Sequence, residues 1–278
     1  MIDLHLHTTA SDGRLTPVEL VQAAAAAGVT VLAVTDHDTT DAVGEVRRLA
    51  AEHGIEAISG IEITAVENGR DVHVLGYFLD PADAGLAEFL SGQRENRIAR
   101  VEAIGARLAA LGMPIDMAAL VADARQYGSR SIGRPQVARA LVAAGYAADT
   151  REAFDRWLGD GGAAFVPRTG CGVETVIGVI HRAGGLASLA HPGRTAIDAR
   201  IPALAAGGLD AIEVYHKDHD EALVDRYRRL AGDLCLLVTG GSDFHGDPSH
   251  GVSPGSVTLP ADAWERLRAE RRRHAVAR

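Results

Sequence analysis

The sequence predicts an α/β chain built as a nearly closed β/α barrel that a small helical insertion interrupts. Short apolar runs alternate with helix-period patterns, the sequence form of βα units around a parallel sheet. Seven such runs occur, enough to close a barrel, and one stretch, from about residue 92 to 164, holds only helical patterns. The length of 278 residues suits a single barrel of about 250 residues with an addition.

In chain order, Ile2 to Leu6 reads as the first strand. Thr16-Pro17-Val18-Glu19 then combines an N-cap hydroxyl, a proline in the first helical turn and a glutamate three residues after the cap, and Gly28 ends that helix. A strand over Val31 to Thr35, a helix over Asp41 to His53 and strands over Ala57 to Ile63 and Val72 to Phe78 follow. Helical patterns over Arg94 to Leu111, Met117 to Arg125, Pro135 to Ala144 and Thr150 to Leu158 define an insertion at residues 99–164, leaving 1–98 and 165–278 to the barrel. The return alternates helix Val173 to Ala183, strand Leu186 to Ala190, helix Ala199 to Ala206, strand Ala211 to Tyr215, helix Glu221 to Leu230 and strand Cys235 to Thr239.

The formal net charge of −9 argues against a general duplex-DNA binder, which needs a basic face to neutralise phosphates. The insertion is the least acidic part, with eight arginines against seven acidic residues. No apolar run reaches the roughly 18 residues of a membrane span, and no basic leader precedes the first strand, so a cytoplasmic protein is expected. Cys171 and Cys235 make no disulfide framework. The basic run Arg271-Arg272-Arg273 is read as complementing a helix C-terminal dipole.

Metal-ligand residue types gather at the C-terminal ends of the predicted strands, where barrel active sites are built. Strand one ends in His5-Leu6-His7, with Asp12 beyond. Residues two apart share a strand face, so both imidazoles can converge on one ion at about 2.0–2.1 Å. Strand two ends in Asp36-His37-Asp38 and strand three in Glu62; strand four contains His73. After the insertion come His191, His216-Lys217 and Asp243-Phe244-His245. One histidine at a strand end is ordinarily structural, but recurrence at one end of every unit is not. His53, His181, His250 and His274 fall outside this register and read as ordinary residues. Asp36 and Asp38 are expected to orient imidazoles.

The series DLHLHTTASDG, VTDHDT, GIEI, His73, AHPG and GSDFHG, in this order, resembles the PHP (polymerase and histidinol phosphatase) family of metal-dependent phosphoesterases across residues 1–98 and 165–258. The resemblance implies a distorted seven-stranded, TIM-like β/α barrel holding two to three divalent ions. It implies one ion on His5, His7, Glu62 and Asp243, a second on Glu62, His73 and His191, and a third on Asp12, His37 and His245, with Glu62 shared by the first two. Asp12 stands where some members have histidine, which favours Mn²⁺ over Zn²⁺, with Fe²⁺ and Mg²⁺ as alternatives. Ions about 3.5–4 Å apart can share a hydroxide that attacks phosphorus at neutral pH.

Glu62 and Asp243 are therefore expected to take part in catalysis. His216 is expected to protonate the leaving oxygen or orient the phosphate, with Lys217 neutralising charge. Ser129, Arg130, Arg134 and Arg168, in or beside the insertion, are candidates for gripping a second phosphate through planar guanidinium forks. The IGRP, WLGDGG and FVPR stretches resemble members that act alone on nucleotides. They imply hydrolysis of the 3′-phosphate of a nucleoside 3′,5′-bisphosphate; the lack of a long apolar run adds the expectation of no membrane contact, and no obligate protein partner is expected. Alternatives are a 5′-to-3′ exonuclease on short RNA or DNA oligonucleotides, or a histidinol-phosphatase-like activity. An amidohydrolase fits poorly, because the only lysine, Lys217, follows His191 rather than preceding it. A non-catalytic module fits poorly because all nine ligand positions are filled.

Overall fold

The computed structural model describes residues 1–127, 131–247 and 251–276. Strand β1 (Ile2–Leu6) leads to α1 (Pro17–Ala26), whose Thr16 hydroxyl accepts from the Glu19 N–H while the Glu19 carboxylate accepts from the Thr16 N–H, the reciprocal cap expected from the sequence. Then come β2 (Val31–Val34), α2 (Asp41–Glu52), β3 (Glu56–Glu67) and β4 (Arg70–Tyr77). Four helices follow: α3 (Ala84–Ala110), α4 (Met117–Tyr127), α5 (Arg134–Ala143) and α6 (Thr150–Ala153), the last running into a π-helical turn over Phe154–Leu158. The chain then forms α7 (Val173–Arg182), β5 (Leu186–Leu189), α8 (Ile201–Ala206), β6 (Ala211–Tyr215), α9 (Glu221–Asp233), β7 (Leu237–Gly240) and α10 (Ala261–Val276).

The seven strands lie in sequential order in one sheet. A bridge between Leu6 and Phe244, with the His7 N–H donating to the Phe244 carbonyl at 3.0 Å, draws the end of β1 against the chain leaving β7. The expected all-parallel arrangement needs correction, because β4 runs antiparallel to both β3 and β5. The cause is the two-residue turn at Asn68 (φ 52°) and Gly69 (φ 76°) after the closing pair Glu67↔Arg70. Asn-Gly adopts left-handed backbone readily and makes a tight hairpin between the two strands. Reversal brings His73, early in β4, to the rim that the other strands reach at their ends.

Helix α3 also begins earlier than Arg94. The Asp83 carboxylate caps it by accepting from the Leu86 N–H at 2.7 Å, and Leu86 and Leu90 pack against Ile61, Ile63, Val74 and Ile177 around the barrel. Farther along the same helix, Ile98, Val101, Ile104 and Leu108 join Val121, Val137, Leu141, Trp157 and Leu158 in a second apolar cluster. At the other end of the molecule, Trp264 and Leu267 of α10 pack with Ile2, Leu4, Val31 and Tyr77. Among the described residues, no helix is long and apolar enough to cross a membrane.

Strand β3 approaches β2 closely at Gly60, where an added Cβ would sit 2.7 Å from the Val34 carbonyl oxygen. Backbone cannot yield as a flexible side chain does, so Gly60→Ala should destabilise the protein by about 1–3 kcal/mol. Urea unfolding checks this; an unchanged midpoint would show that the β2–β3 pair can spread.

Candidate metal centre

All nine residues expected as ligands meet at one rim of the barrel. Glu62, buried on β3, is their hub. Its Oε2 lies 3.3 Å from His5 Nε2, 3.3 Å from His7 Nε2 and 3.2 Å from His37 Nδ1. Its Oε1 lies 2.8 Å from His73 Nδ1 and 3.1 Å from His191 Nε2. Asp243 Oδ1 is 3.4 Å from both His5 Nε2 and His7 Nε2, and 3.5 Å from His245 Nδ1. To one side, Asp12 faces His245 Nε2 at 3.3 Å, His37 Nε2 at 3.7 Å and His7 Nδ1 at 3.8 Å.

These distances fit divalent cations. Two donors each about 2.1 Å from an ion stand about 3.0–3.4 Å apart at ordinary coordination angles, and most pairs above fall there. Buried nitrogens of His7, His37, His73 and His191 make no well-aligned hydrogen bond, even where a carboxylate oxygen stands close by. Each such atom costs about 1–3 kcal/mol unless something else engages its lone pair, and a cation does so. Four donor groups emerge: His5-His7-Asp243, His5-Glu62-His191, His37-Glu62-His73 and His7-Asp12-His37-His245. They allow the expected sharing through Glu62 and add His7 to the Asp12 group.

Electrostatics divides the imidazoles. Burial pushes His37 down to about 3 and His191 down to about 4, leaving both neutral. Burial opposes charge on His5 as well, but Glu213, Glu62 and Asp243 outweigh it and hold that imidazole well above its usual range. His7, similarly buried, is pushed up to about 10 by Asp243 and Glu62. Burial would raise Glu62, Asp12 and Asp243, yet the surrounding imidazoles keep all three well below the usual carboxylate range. The centre is an anionic, nitrogen-rich pocket that attracts positive charge.

Backbone strain accompanies this convergence. His191 (φ 26°) and Asp243 (φ 51°) occupy positive-φ conformations unusual for residues other than glycine. His191 is held there because its N–H donates to Glu213 Oε2 at 2.8 Å, while Glu213 Oε1 takes His5 Nδ1 at 2.8 Å. Glu213 therefore orients the His5 imidazole and pins the main chain at His191. Its signal is a lone carboxylate inside the apolar run Ala211-Ile212-Glu213-Val214-Tyr215, which the sequence reading passed over.

The orienting role expected of Asp36 and Asp38 is corrected. Asp36 accepts from the Thr8 N–H, the Thr8 hydroxyl and the Ser11 hydroxyl, fixing the loop after β1. Asp38 accepts from the Thr64 N–H and from Arg97 Nε, because its φ of 52° turns it away from His37 toward α3.

His216 and Lys217 reach the centre on its far side. His216 Nδ1 accepts from the Asp218 N–H at 3.2 Å, which leaves the proton on Nε2, 3.2 Å from Asp243 Oδ2. Lys217 Nζ is 3.3 Å from the same oxygen, and Arg194, another residue the sequence reading did not single out, is 3.8 Å away. Arg134 and Arg168 converge with Arg100 on Asp71, at 3.4, 3.5 and 3.1 Å. Burial would raise Asp71, but Arg168 and Arg100 hold it down to about 2; burial together with Arg97 brings Arg168 down to about 9. Ser129 and Arg130 lie outside the described residues. His53 is exposed at the end of α2 and His181 pairs with Asp210 at 2.7 Å, the ordinary roles expected of them.

A seven-stranded α/β barrel with a histidine-carboxylate cluster at one rim defines a class, the metal-dependent phosphoesterases of PHP type. The chain belongs to this family: the PHP domain model matches residues 3–183. A 3′,5′-nucleoside bisphosphate phosphatase from Chromobacterium violaceum is 35% identical, covering 96% of both chains. A 5′-3′ exoribonuclease from Haemophilus influenzae is 37% identical over 87% of this chain and 89% of its own. Among solved structures, a Bifidobacterium adolescentis protein described as a candidate metal-dependent phosphoesterase superposes with a TM-score of 0.86 at 33% identity, covering 95% of this chain and 94% of that one. The chain is a hydrolytic PHP-domain phosphoesterase, and its clustered imidazoles and carboxylates are able to bind metal ions.

Adding Mn²⁺ to chelator-stripped protein should raise the melting temperature, with stabilisation approaching about 2.7 kcal/mol at a hundredfold excess over Kd. Calorimetry of Glu62→Gln should show most of that gain lost. A gain equal to that of the unmodified chain would mean that the cations do not assemble around Glu62.

Proposed function

We propose that the chain removes the 3′-phosphate from nucleoside 3′,5′-bisphosphates, such as adenosine 3′,5′-bisphosphate, giving the 5′-monophosphate and inorganic phosphate. The observation that carries this reading is the second cationic cluster beside the centre. Asp71, the pivot for Arg100, Arg134 and Arg168, lies two residues before His73 on the same strand, hence on the same face and about 6.6 Å along it. A substrate with two phosphates places one at each cluster.

In this reading His5, His7, Glu62 and Asp243 hold one divalent cation, Glu62, His73 and His191 a second, and Asp12, His37 and His245 a third. Manganese suits the added carboxylate of Asp12. Cations bound there supply charge to the phosphoryl oxygens and a nucleophile at neutral pH. Water oxygen bonds to phosphorus as the P–O3′ bond breaks, and the leaving oxygen takes the proton that His216 carries on Nε2. Lys217 offsets the charge that develops there. Arg134 and Arg168 exchange Asp71 for the remaining 5′-phosphate. The α5 segment closes the other side: the Ser131 N–H donates to the Ala10 carbonyl, Gln136 to the Ser11 carbonyl and Arg139 to the Asp12 carbonyl. Residues 99–164 thereby form a substrate-binding unit against the loop that carries Asp12.

The second reading, a 5′-to-3′ exonuclease on short oligonucleotides, is favoured by the H. influenzae relative's name, while the acidic exterior opposes long polymers. An amidohydrolase gains nothing here, because Lys217 pairs with Asp218 and Asp243 and the shared position belongs to Glu62.

Incubating Mn²⁺-loaded protein with adenosine 3′,5′-bisphosphate and with a labelled oligoribonucleotide should release phosphate from the former without shortening the latter. Shortening with release of mononucleotides, and no phosphate from the bisphosphate, would replace the phosphatase by the exonuclease. Asp243→Asn should lower kcat by ~10²-fold or more, the scale of lost transition-state charge stabilisation. Arg134→Ala should chiefly raise KM, and equal KM values would remove it from the second phosphate's subsite.

A further inference from the structure

At the end of the barrel remote from the metal centre, a cavity of about 660 Å³ opens between the start of β3, the end of β4, α2 and α10. We propose that this cavity is a second anion site, one that takes a small molecule carrying two or more clustered phosphates. The inference is independent of the phosphatase reading. Arg47 from α2 and Arg268, Arg271 and Arg272 from α10 line it, against two carboxylates, Glu56 and Asp80. In a chain of net charge −9, this is a local concentration of the opposite sign.

The arginines are not spent on carboxylates. Among the described residues, Arg47, Arg271 and Arg272 have no ion-pair partner, and Arg268 has only the exposed Glu265 three residues away at 3.2 Å. Positions 268, 271 and 272 share one face of α10, so the helix directs three guanidinium groups into the same space. Four guanidinium groups against two carboxylates leave the cavity with an excess of positive charge that an anion offsets, and guanidinium forks match phosphate oxygens in pairs. The volume falls within the roughly 300–1,000 Å³ of small-molecule pockets and suits a compact ligand rather than a polymer track.

The cavity is built on a fixed frame. Trp264 and Leu267 anchor α10 in the apolar cluster beneath the barrel. Phe78 forms part of the wall with φ at 60°, a conformation unusual for an aromatic residue. It is held there by its N–H donating to the Ser59 carbonyl at 2.9 Å and by its ring stacking on Trp264 at 6.0 Å, while Arg271 lies over the ring at 6.0 Å. Strain of this kind persists where surrounding structure imposes it, commonly at ligand sites. Glu62 lies six residues along β3 from Glu56, about 20 Å at strand rise, so a ligand here does not touch the catalytic groups.

The test is calorimetric titration of the full-length chain with inorganic pyrophosphate in metal-free buffer. Apart from any binding at the Asp71 arginines, which Arg134→Ala removes, one site per chain is expected, weakened at least tenfold both by the double substitution Arg271→Ala/Arg272→Ala and, separately, by Arg47→Ala. Arg271→Lys/Arg272→Lys should retain part of the affinity, and Asp243→Asn should retain all of it. Because Arg47 sits on a different helix, its variant keeps the test decisive if the α10 double variant misfolds. Affinity unchanged in the arginine variants, or lost in Asp243→Asn instead, overturns the proposal. So does equal binding of sulfate and pyrophosphate at millimolar concentration, which would mean an adventitious ion only.

Discussion

One buried carboxylate among five imidazoles is the constraint around which this barrel is arranged. Glu62 has almost no solvent, and His5, His7, His37 and His191 are buried beside it, with only His73 partly exposed. Burying so many polar atoms opposes folding unless each finds a partner, and the supply of hydrogen bonds is insufficient. Protons on His5 and His7 compensate in part. Divalent charge compensates more fully, since it engages the nitrogens that protonation leaves idle. The strained backbones at His191 and Asp243 follow from the same demand, because side chains from several strands must reach a common point.

Much of this was legible in the sequence because ligation demands particular residue types at particular places. His5-Leu6-His7 could be paired by strand alternation, and strand-end positions pointed to Glu62, His191 and Asp243. His73 is different: on a parallel strand its early position would have put it at the wrong rim. Only the Asn68-Gly69 hairpin explains its presence, a turn signal that the reading of alternating βα units does not take up. Glu213 was hidden because one carboxylate within an apolar strand carries no motif. Asp36 and Asp38 looked like partners of His37, but neighbours in sequence point apart once φ turns positive. Arg134 and Arg168 were candidates from their place in and beside the insertion and Arg100 was not singled out, whereas the convergence of all three on Asp71 depends on strands and helices distant along the chain.

Two clusters of guanidinium groups thus stand at opposite ends of an acidic barrel. At physiological ionic strength, charges about 20 Å apart are separated by more than two Debye lengths of about 8 Å. Direct electrostatic influence of one cluster on the other is therefore screened, and each depends on its own neighbours. For the cluster at Asp71 these are side chains of β4 and the chain returning to the barrel. For the cluster on α10 they are the aromatic pair Phe78 and Trp264 and the barrel floor.

Helix α3 has a mechanical consequence. Its 27 residues extend about 40 Å as one rod, and its two halves are embedded in different apolar clusters. Midway, Gln93 donates to the Thr64 carbonyl, and Arg97 joins Asp38 to the Ile132 carbonyl. The helical region cannot swing freely over the catalytic rim like a hinged door, since the rod would lever against β3 and the loop holding His37. Any shift of the helical region over the rim must come from flexing within the rod, for which Gly92 and Gly105 are the weakest points, or from displacement of α4 and α5 while α3 stays seated.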